Sequence, residues 1–585
     1  MQFNSRQPTT TVFVSTPLFR GASSARGRAG EDCPRRNKRL KLAHLLRDES
    51  IKPFRVLGQD SAQEQLERLE ITGIAFDSRQ VKPGYLFVCI PGFQVDGHDF
   101  AHRAVANGAV ALVVEHPVEK VPSDIVQIQV DDCRSRLGLL AARFYGYPAN
   151  RLATVGITGT NGKTSTAFLC EAVLEKAGQA PGLIGTIRAK VGEEERKVKN
   201  TTPEASDLQE LLKDMVEAGN RSVVMEVSSH ALALHRVAGI QYDVAVFTNL
   251  SQDHLDFHSD MEDYFQTKRR LFDTLGRDWS RSAPPYAVLN LDDSRTAEIL
   301  AGLKVPYITY GFHPEAHVRA TDLEFSPEGS RFTVKTPIGD AQVHLRLAGA
   351  FNVSNALAAI GVGLARRVDL DVAVEALAAL EGIPGRFELV REGQDFTVLV
   401  DYAHTPDGLE NVLAAAREVT AGRLICVFGC GGDRDAGKRP VMGGIAARYA
   451  DQVFLTSDNP RSEDPLAILQ EVERGLLAEG EDLDYVKEVD REAAIAGAVR
   501  AARPGDTVVI AGKGHERVQI FADHQVVFDD REVARRVIRA RLGKRRRHSS
   551  FSTASLLWTE CRTPLTHPRF GHKAAALPRK GRAIL

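Results

Sequence analysis

A glycine-punctuated stretch, Ala153-Thr-Val-Gly-Ile-Thr-Gly-Thr-Asn-Gly-Lys-Thr-Ser-Thr166, constrains this chain more than any other. A β-branched run leads into glycines at 156, 159 and 162, and a Lys-Thr pair then opens an apolar-periodic segment from Ala167 to Ala177. That order reads as a strand, a tight loop and the N-terminus of a helix. It forms a phosphate cradle. Glycines let backbone N–H groups turn inward, Lys163 reaches the β- and γ-oxygens of a nucleoside triphosphate, the Thr164 hydroxyl ligates Mg2+, and the helix dipole favours the anion. The generic loop has four residues between its first glycine and Gly-Lys. Isoleucine at 157 makes this one a GxxGxxGKT variant.

At 585 residues the chain exceeds a single core, and typical domain sizes lead to roughly three or four domains. Its net charge of −1 is unevenly spread. Residues 1–41 hold nine Lys/Arg against two acids, 544–585 hold ten against one, and the middle is left at about −17. The body carries no nucleic-acid-binding motif, so nucleic acid is not an expected partner. Seven scattered cysteines read as buried thiols of a reducing compartment, and Cys426-x-x-x-Cys430 lacks a second ligand pair for zinc. No apolar run approaches the roughly twenty residues that span a bilayer. A cytoplasmic monomer with no membrane insertion is the expectation. Residues 1–38 and 543–585, basic and aperiodic, are expected to be disordered. For the leader three readings stand: a start codon placed too far upstream, an organelle transit peptide, or a nucleic-acid-binding arm.

Taken in order, Leu40–Leu46 reads as a first helix, and from about 70 to 130 short strands alternate with helices. Two polar strings, Asp77-Ser-Arg79 and Pro91-Gly-Phe-Gln-Val-Asp-Gly-His98, sit beside strand ends, as either turns or ligand loops. Phe144–Asn150 reads as a linker. Beyond it, Asn200-Thr-Thr-Pro203 either holds carboxylate or phosphate oxygens or caps the helix after it. Val223–His230 is a buried strand whose Glu226 needs a partner, and Mg2+ shared with Thr164 provides one. In the helix from Met261, Tyr264, Lys268, Leu271 and Phe272 share a face, where a lysine ordinarily snorkels to water. Gly349–Ala359 reads as an Asn-capped helix.

From about 387 to 541 strands alternate with amphipathic helices, which implies a mainly parallel, Rossmann-like sheet covered on both faces. Four charged loops follow its strands: Asp401–Asp407, Gly429–Pro440, Ser457–Pro465 and Gly512–Glu516. Open α/β sheets bind ligands at that edge. Arginines paired with carboxylates suit a zwitterionic amino acid, with Arg434 and Arg461 for carboxylates and Glu516 for an ammonium.

The string Thr158–Thr166 resembles the phosphate loop of the ATP-dependent Mur ligases of peptidoglycan synthesis and of their relative, folylpolyglutamate synthase. The latter does not account for residues 77–98 or Asp458–Arg461, whereas the Mur resemblance runs in order from about 40 to 541. It implies an α/β protein of three domains: a UDP-sugar-binding domain over 39–150, a central ATP-binding domain with a mainly parallel sheet over 151–385, and an amino-acid-binding domain over 386–542. The implied reaction is ATP-dependent amide-bond formation through an acyl phosphate. The implied substrates are UDP-N-acetylmuramoyl-L-Ala-D-Glu and, from the string Asp458-Asn-Pro-Arg461, meso-diaminopimelate.

Carried over residue by residue, the resemblance implies ATP contacts from Gly159, Thr160, Asn161, Gly162, Lys163, Thr164 and Ser165, with Asn352, Asn355, Arg386 and Asp401 completing the nucleotide site. One Mg2+ falls to Thr164 and Glu226, and Lys268, as a carbamate, helps hold a second. Ser78, Gln94, Asn200, Thr201, Thr202, Ser228 and Arg236 face the sugar nucleotide and its peptide, and His230 orients substrate. Arg434, Asp458, Asn459, Pro460, Arg461, Gly512 and Glu516 face diaminopimelate. One departure stands out: a glutamine that some members place two residues before the arginine is Leu234 here. The rival from another class is a plastid relative serving a transcription complex, against which intact Lys163, Glu226, Lys268 and Arg461 speak.

Overall fold

Three parallel-rich sheets, each with its own helices, divide the chain as the strand–helix alternation predicts. The computed structural model describes residues 39–554 apart from 48–50, 52–53, 58–61, 93–94, 278, 280, 282 and 481. In the first sheet the order is Arg55–Leu57, Val126–Gln129, Ala109–Val114, Tyr85–Val88, Gly73–Ala75, with only the first pair antiparallel. Strands such as Ala109–Val114 are apolar throughout because both faces are covered.

The central sheet has eleven strands. Ala153–Thr158 lies between Ser222–Glu226 and Val244–Phe247, parallel to both. The chain crosses from one side of this strand to the other, so the phosphate loop sits at a topological switch point, with Glu226 emerging on one side and the loop after Phe247 on the other. Helices Lys163–Lys176 and Ala350–Ala365 pack on one face. Ala205–Glu217 and Met261–Asp273 pack on the other. Three antiparallel strands, Val318–Ser326, Gly329–Thr336 and Gly339–Leu345, extend the sheet. The third sheet runs Glu388–Leu389, Thr397–Asp401, Thr507–Ala511, Leu424–Phe428, Gln452–Leu455, Tyr485–Lys487, parallel except at its first pair.

Three local expectations change. The first helix is a single turn, Leu42–Leu45, because Leu40–Lys41 pairs with Glu70–Ile71 as a strand. The helix Ala350–Ala365 has no side-chain cap, and Asn352 Nδ2 instead donates back to Ala348 O at 2.9 Å. The final helix, Asp530–Ala554, continues beyond the expected end of the body at Leu542, since its Lys/Arg-rich text favours helix once Val533, Ala534 and Ile538 seat it on the core. Residues 1–38 and 555–585 lie outside the described residues.

Candidate active site

The phosphate loop has the geometry its glycines require. Gly159 has φ +147° and Gly162 φ +83°, and a Cβ at either would collide with Thr248 Oγ1 or Asn355 Oδ1 respectively. Lys163 Nζ donates to Gly159 O at 2.9 Å and Thr160 O at 2.7 Å, curled back over its own loop. Burial pulls its pKa down. An anion in the cradle would offset that penalty.

Glu226 is 1% exposed. It accepts from Thr164 Oγ1 at 2.9 Å, Thr186 N at 2.7 Å and Thr186 Oγ1 at 3.1 Å. A buried carboxylate beside two hydroxyls is the all-oxygen donor set that Mg2+ takes, so Thr164 and Glu226 fit that ion. Lys268 is equally buried, its Nζ donating to Gly159 O at 2.7 Å and lying 4.3 Å from the centre of the Tyr264 ring. Far from snorkelling, it ends inside the site. Burial, helped by the charge of Lys163, holds its pKa well below the ordinary lysine value. A buried amine driven toward neutrality is the nucleophile that CO2 adds to, which makes a carbamate chemically accessible here.

The C-terminal domain closes the cavity from the far side. Arg386 Nη2 donates to Thr164 Oγ1 at 3.1 Å, and its guanidinium stacks 4.5 Å over Tyr402. Asp401 accepts from Phe387 N at 2.6 Å and Ala403 N at 2.8 Å, and burial raises its pKa to about 6. The resulting cavity, about 280 Å3, is lined by Thr160–Ser165, Thr201, Glu226, Ser228, Lys268, Asn355, Arg386 and Asp401 among the expected residues. Asn352 is fully buried, and His230, outside this lining, has its ring tilted 4.1 Å from that of Phe257.

Two residues that sequence reasoning passed over belong to it, Asp253 and His254. Burial drives the His254 pKa down to about 4, leaving a neutral imidazole. Burial opposes the charge of Asp253, yet nearby cationic groups, Lys163 among them, and the His254 backbone N–H it accepts at 2.8 Å keep the carboxyl below its usual range. The signal was present in the polar string Ser251–His258 after a buried strand, beside a phosphate loop.

Ser78 lines a second cavity of about 440 Å3 in the first domain, with Arg79, Arg103, Arg134 and Glu204. Gln94 lies outside the described residues. Arg236 faces this side, paired with Glu204 at 2.7 Å and donating to Thr202 O at 3.3 Å. Thr202 Oγ1 bonds Glu226 O at 2.8 Å, Thr201 meets Thr186 at 3.0 Å, and Ser228 caps the short helix Ser229–Ala233. The cap reading of Asn200–Pro203 fails, since helix Ala205–Glu217 has Glu204 at its N-cap with no side-chain bond.

The remaining expected residues gather at the third sheet's carboxyl edge. Asn459 Nδ2 donates to Glu516 Oε2 at 2.9 Å, and Gln519 Nε2 to Asp458 O at 2.8 Å. A Cβ on Gly512, at φ +112°, would lie 2.6 Å from Asp458 Oδ2. Arg461 holds φ +51° just after Pro460 and donates to Gly432 O at 2.6 Å, while Arg434 donates to Asp433 O at 3.3 Å. Beneath the loops the fully buried Arg491–Asp530 pair ties Ser457 O and Ala511 O together.

A phosphate loop, a buried carboxylate and lysine facing it, and a separate domain that closes with an arginine define an ATP-using ligase, and the comparisons agree. The chain matches three family models in order: "Mur ligase family, catalytic domain" over residues 70–145, "Mur ligase middle domain" over 157–363, and "Mur ligase, glutamate ligase domain" over 385–514. It belongs to the Mur ligase family. It is 48% identical over 476 residues to the UDP-N-acetylmuramoyl-L-alanyl-D-glutamate–2,6-diaminopimelate ligase of Bacillus cereus, covering 81% of this chain and 96% of that one. Against the enzyme of the same name from Listeria monocytogenes the identity is 47% over 480 residues, covering 82% and 96%. A solved structure of a ligase of that name superposes with TM-score 0.59 at 33% identity, covering 83% of this chain and 97% of that chain. A folylpolyglutamate synthase of Mycobacterium tuberculosis, solved with ADP and AMPPCP, shares the fold alone, at 19% identity and TM-score 0.53 over 65% of this chain and 92% of that one.

Proposed function

We propose that this chain is the ATP-dependent ligase that joins meso-diaminopimelate to UDP-N-acetylmuramoyl-L-Ala-D-Glu, in the cytoplasm and as a single chain. The observation that carries the chemistry is the meeting of Arg386 with Thr164, which joins the amino-acid domain to the phosphate loop. The choice of amino acid rests on Asp458–Arg461, together with the names of the relatives.

The D-glutamyl γ-carboxylate attacks the γ-phosphorus of ATP, giving an acyl phosphate and ADP. An amine of diaminopimelate then attacks the acyl carbon, and orthophosphate leaves with the loss of one proton. Lys163, freed from its own carbonyls, and the loop N–H groups hold the phosphoryl oxygens as charge builds on them, and Arg386 adds a second cation from the closing domain. Thr164 and Glu226 would hold one Mg2+ and Lys268, as a carbamate, would help hold a second, and when bound the two ions would neutralise phosphate charge. Arg236 and Ser228 hold the peptide end of the sugar nucleotide, and Ser78 the nucleotide end. His230 orients the substrate through His254, whose ring it meets edge-on at 4.8 Å. Enclosure by the third domain keeps water from the acyl phosphate.

Phosphate release by purified protein with ATP, Mg2+ and the sugar nucleotide, with diaminopimelate or L-lysine in parallel, tests the reading. Turnover with diaminopimelate far faster than with lysine is expected. Turnover with lysine alone sinks the specificity, and turnover with neither sinks the ligase.

A further inference from the structure

Lys513 is completely buried, and neither the phosphate chemistry nor the expected amino-acid contacts use it. Its Nζ donates to Asn459 Oδ1 at 2.9 Å and to Glu516 Oε2 at 2.8 Å. Asn459 Oδ1 also accepts from Ile520 N at 3.0 Å, a group that can only donate. The Asn459 amide therefore has one satisfied orientation, oxygen toward Lys513 and Ile520 and nitrogen toward Glu516.

That orientation decides what the pair offers a ligand. One Asn459 Nδ2 hydrogen goes to Glu516 Oε2. The other is left to meet a carboxylate oxygen. Glu516 Oε2 is taken by Asn459 and Lys513, and Oε1 accepts no hydrogen bond among the described residues, so it is left for an ammonium. With Lys513 removed, the amide can rotate and Glu516 can turn, so donor and acceptor would no longer be fixed side by side.

We propose that Lys513 is a positioning and specificity-determining residue: it locks Asn459 and Glu516 into a donor–acceptor pair matched to the distal amino-acid end of diaminopimelate. This rests on the diaminopimelate reading above. Lysine, which has no distal carboxylate, gains less from the lock.

The test compares wild type with Lys513→Met, an apolar side chain of similar length, using phosphate release with diaminopimelate and with L-lysine. The expected result is a rise of about tenfold or more in KM for diaminopimelate, with KM for ATP and for the sugar nucleotide within about twofold, because hydrogen bonds to charged groups carry discrimination of that size. The ratio of kcat/KM for diaminopimelate over lysine should fall by about tenfold. An unchanged ratio, or equal losses for all substrates, overturns the proposal, since a merely structural lysine would act on them alike. Should the Met variant fail to fold, Lys513→Gln, whose amide retains donors, gives the same comparison with a smaller expected fall in the ratio, and no fall overturns the proposal. A wild type that does not turn over diaminopimelate sinks the functional reading itself. A wild type that does, with an unaffected variant, sinks only the role of Lys513.

Discussion

The Asp407 carboxylate accepts the side-chain amide of Asn161, joining residues 246 positions apart in sequence and belonging to different domains. Ser251 Oγ donates to the same oxygen at 3.0 Å. Asp407 opens helix Pro406–Glu418 behind its Thr405 cap, so a rigid element of the C-terminal domain rests on the tip of the phosphate loop. Asp407 thereby ties the position of that domain to the loop tip. Asp407→Ala should lower kcat/KM for ATP by about tenfold, the scale of a lost hydrogen-bonded charge, while nucleotide affinity measured by equilibrium titration changes little. Equal losses in both would mean that Asp407 supports the loop statically.

Removing the carboxylate at the end of strand Ser222–Glu226 tests the ion assignment. Glu226→Gln should cut turnover by about 10²-fold or more and raise the Mg2+ concentration needed for half-maximal rate. A variant with ordinary Mg2+ dependence would move the ion elsewhere.

Lys268 should react with carbon dioxide. Protein equilibrated with 13C-bicarbonate should show one carbamate resonance that vanishes in Lys268→Ala, and stripping bicarbonate should slow turnover reversibly. A spectrum shared by both proteins would leave Lys268 an amine.

Asp401 gives a pH signature. Its folded pKa is raised by burial to about 6, so the folded state keeps a proton that the unfolded chain has already released. Its contribution to stability is complete below about pH 4 and lost as pH rises through 6, amounting to about 3 kcal/mol. Urea unfolding of wild type and Asp401→Asn should therefore show wild type losing ground by about that amount between about pH 4 and 7. Parallel pH profiles would contradict the assignment.

Arg461 stands in the left-handed region, an uncommon conformation for a side chain of its size, and its backbone N–H bonds Ile520 O at 3.1 Å. Arg461→Ala should raise KM for diaminopimelate about tenfold and spare ATP. An unaltered KM would place the carboxylate on other residues.

Much of this was legible in the sequence because chemistry concentrated it. A Gly-rich loop between an apolar strand and a helix has few structural outcomes, and Ala153–Lys176 took the expected one. Lys268 was harder. Periodicity placed it on the apolar face, yet only packing shows that its amine stops at Gly159 O instead of reaching water. The strands from Val318 to Leu345 went unread although Arg331–Thr336 alternates buried Phe332 and Val334 with exposed Arg331 and Lys335. Their partners are local hairpins, outside the strand–helix rhythm that guided the reading. Lys513 was unreadable, since its meaning lies in two residues brought together by separate loops.

Gly385 has φ +64° and passes so close to Gly514 and His515 that no side chain fits, and the next residue is Arg386. Glu388 accepts from Gly385 N at 2.7 Å and pairs with Arg531 and Arg535 of the last helix at 3.4 and 3.3 Å. The arginine that reaches the phosphate loop is thus mounted on the joint between two domains and braced from the chain's far end. Any outward swing of the third domain about that joint would withdraw the guanidinium from Thr164. A molecule with that domain apart from the loop would lack at Thr164 the cation that this arrangement supplies.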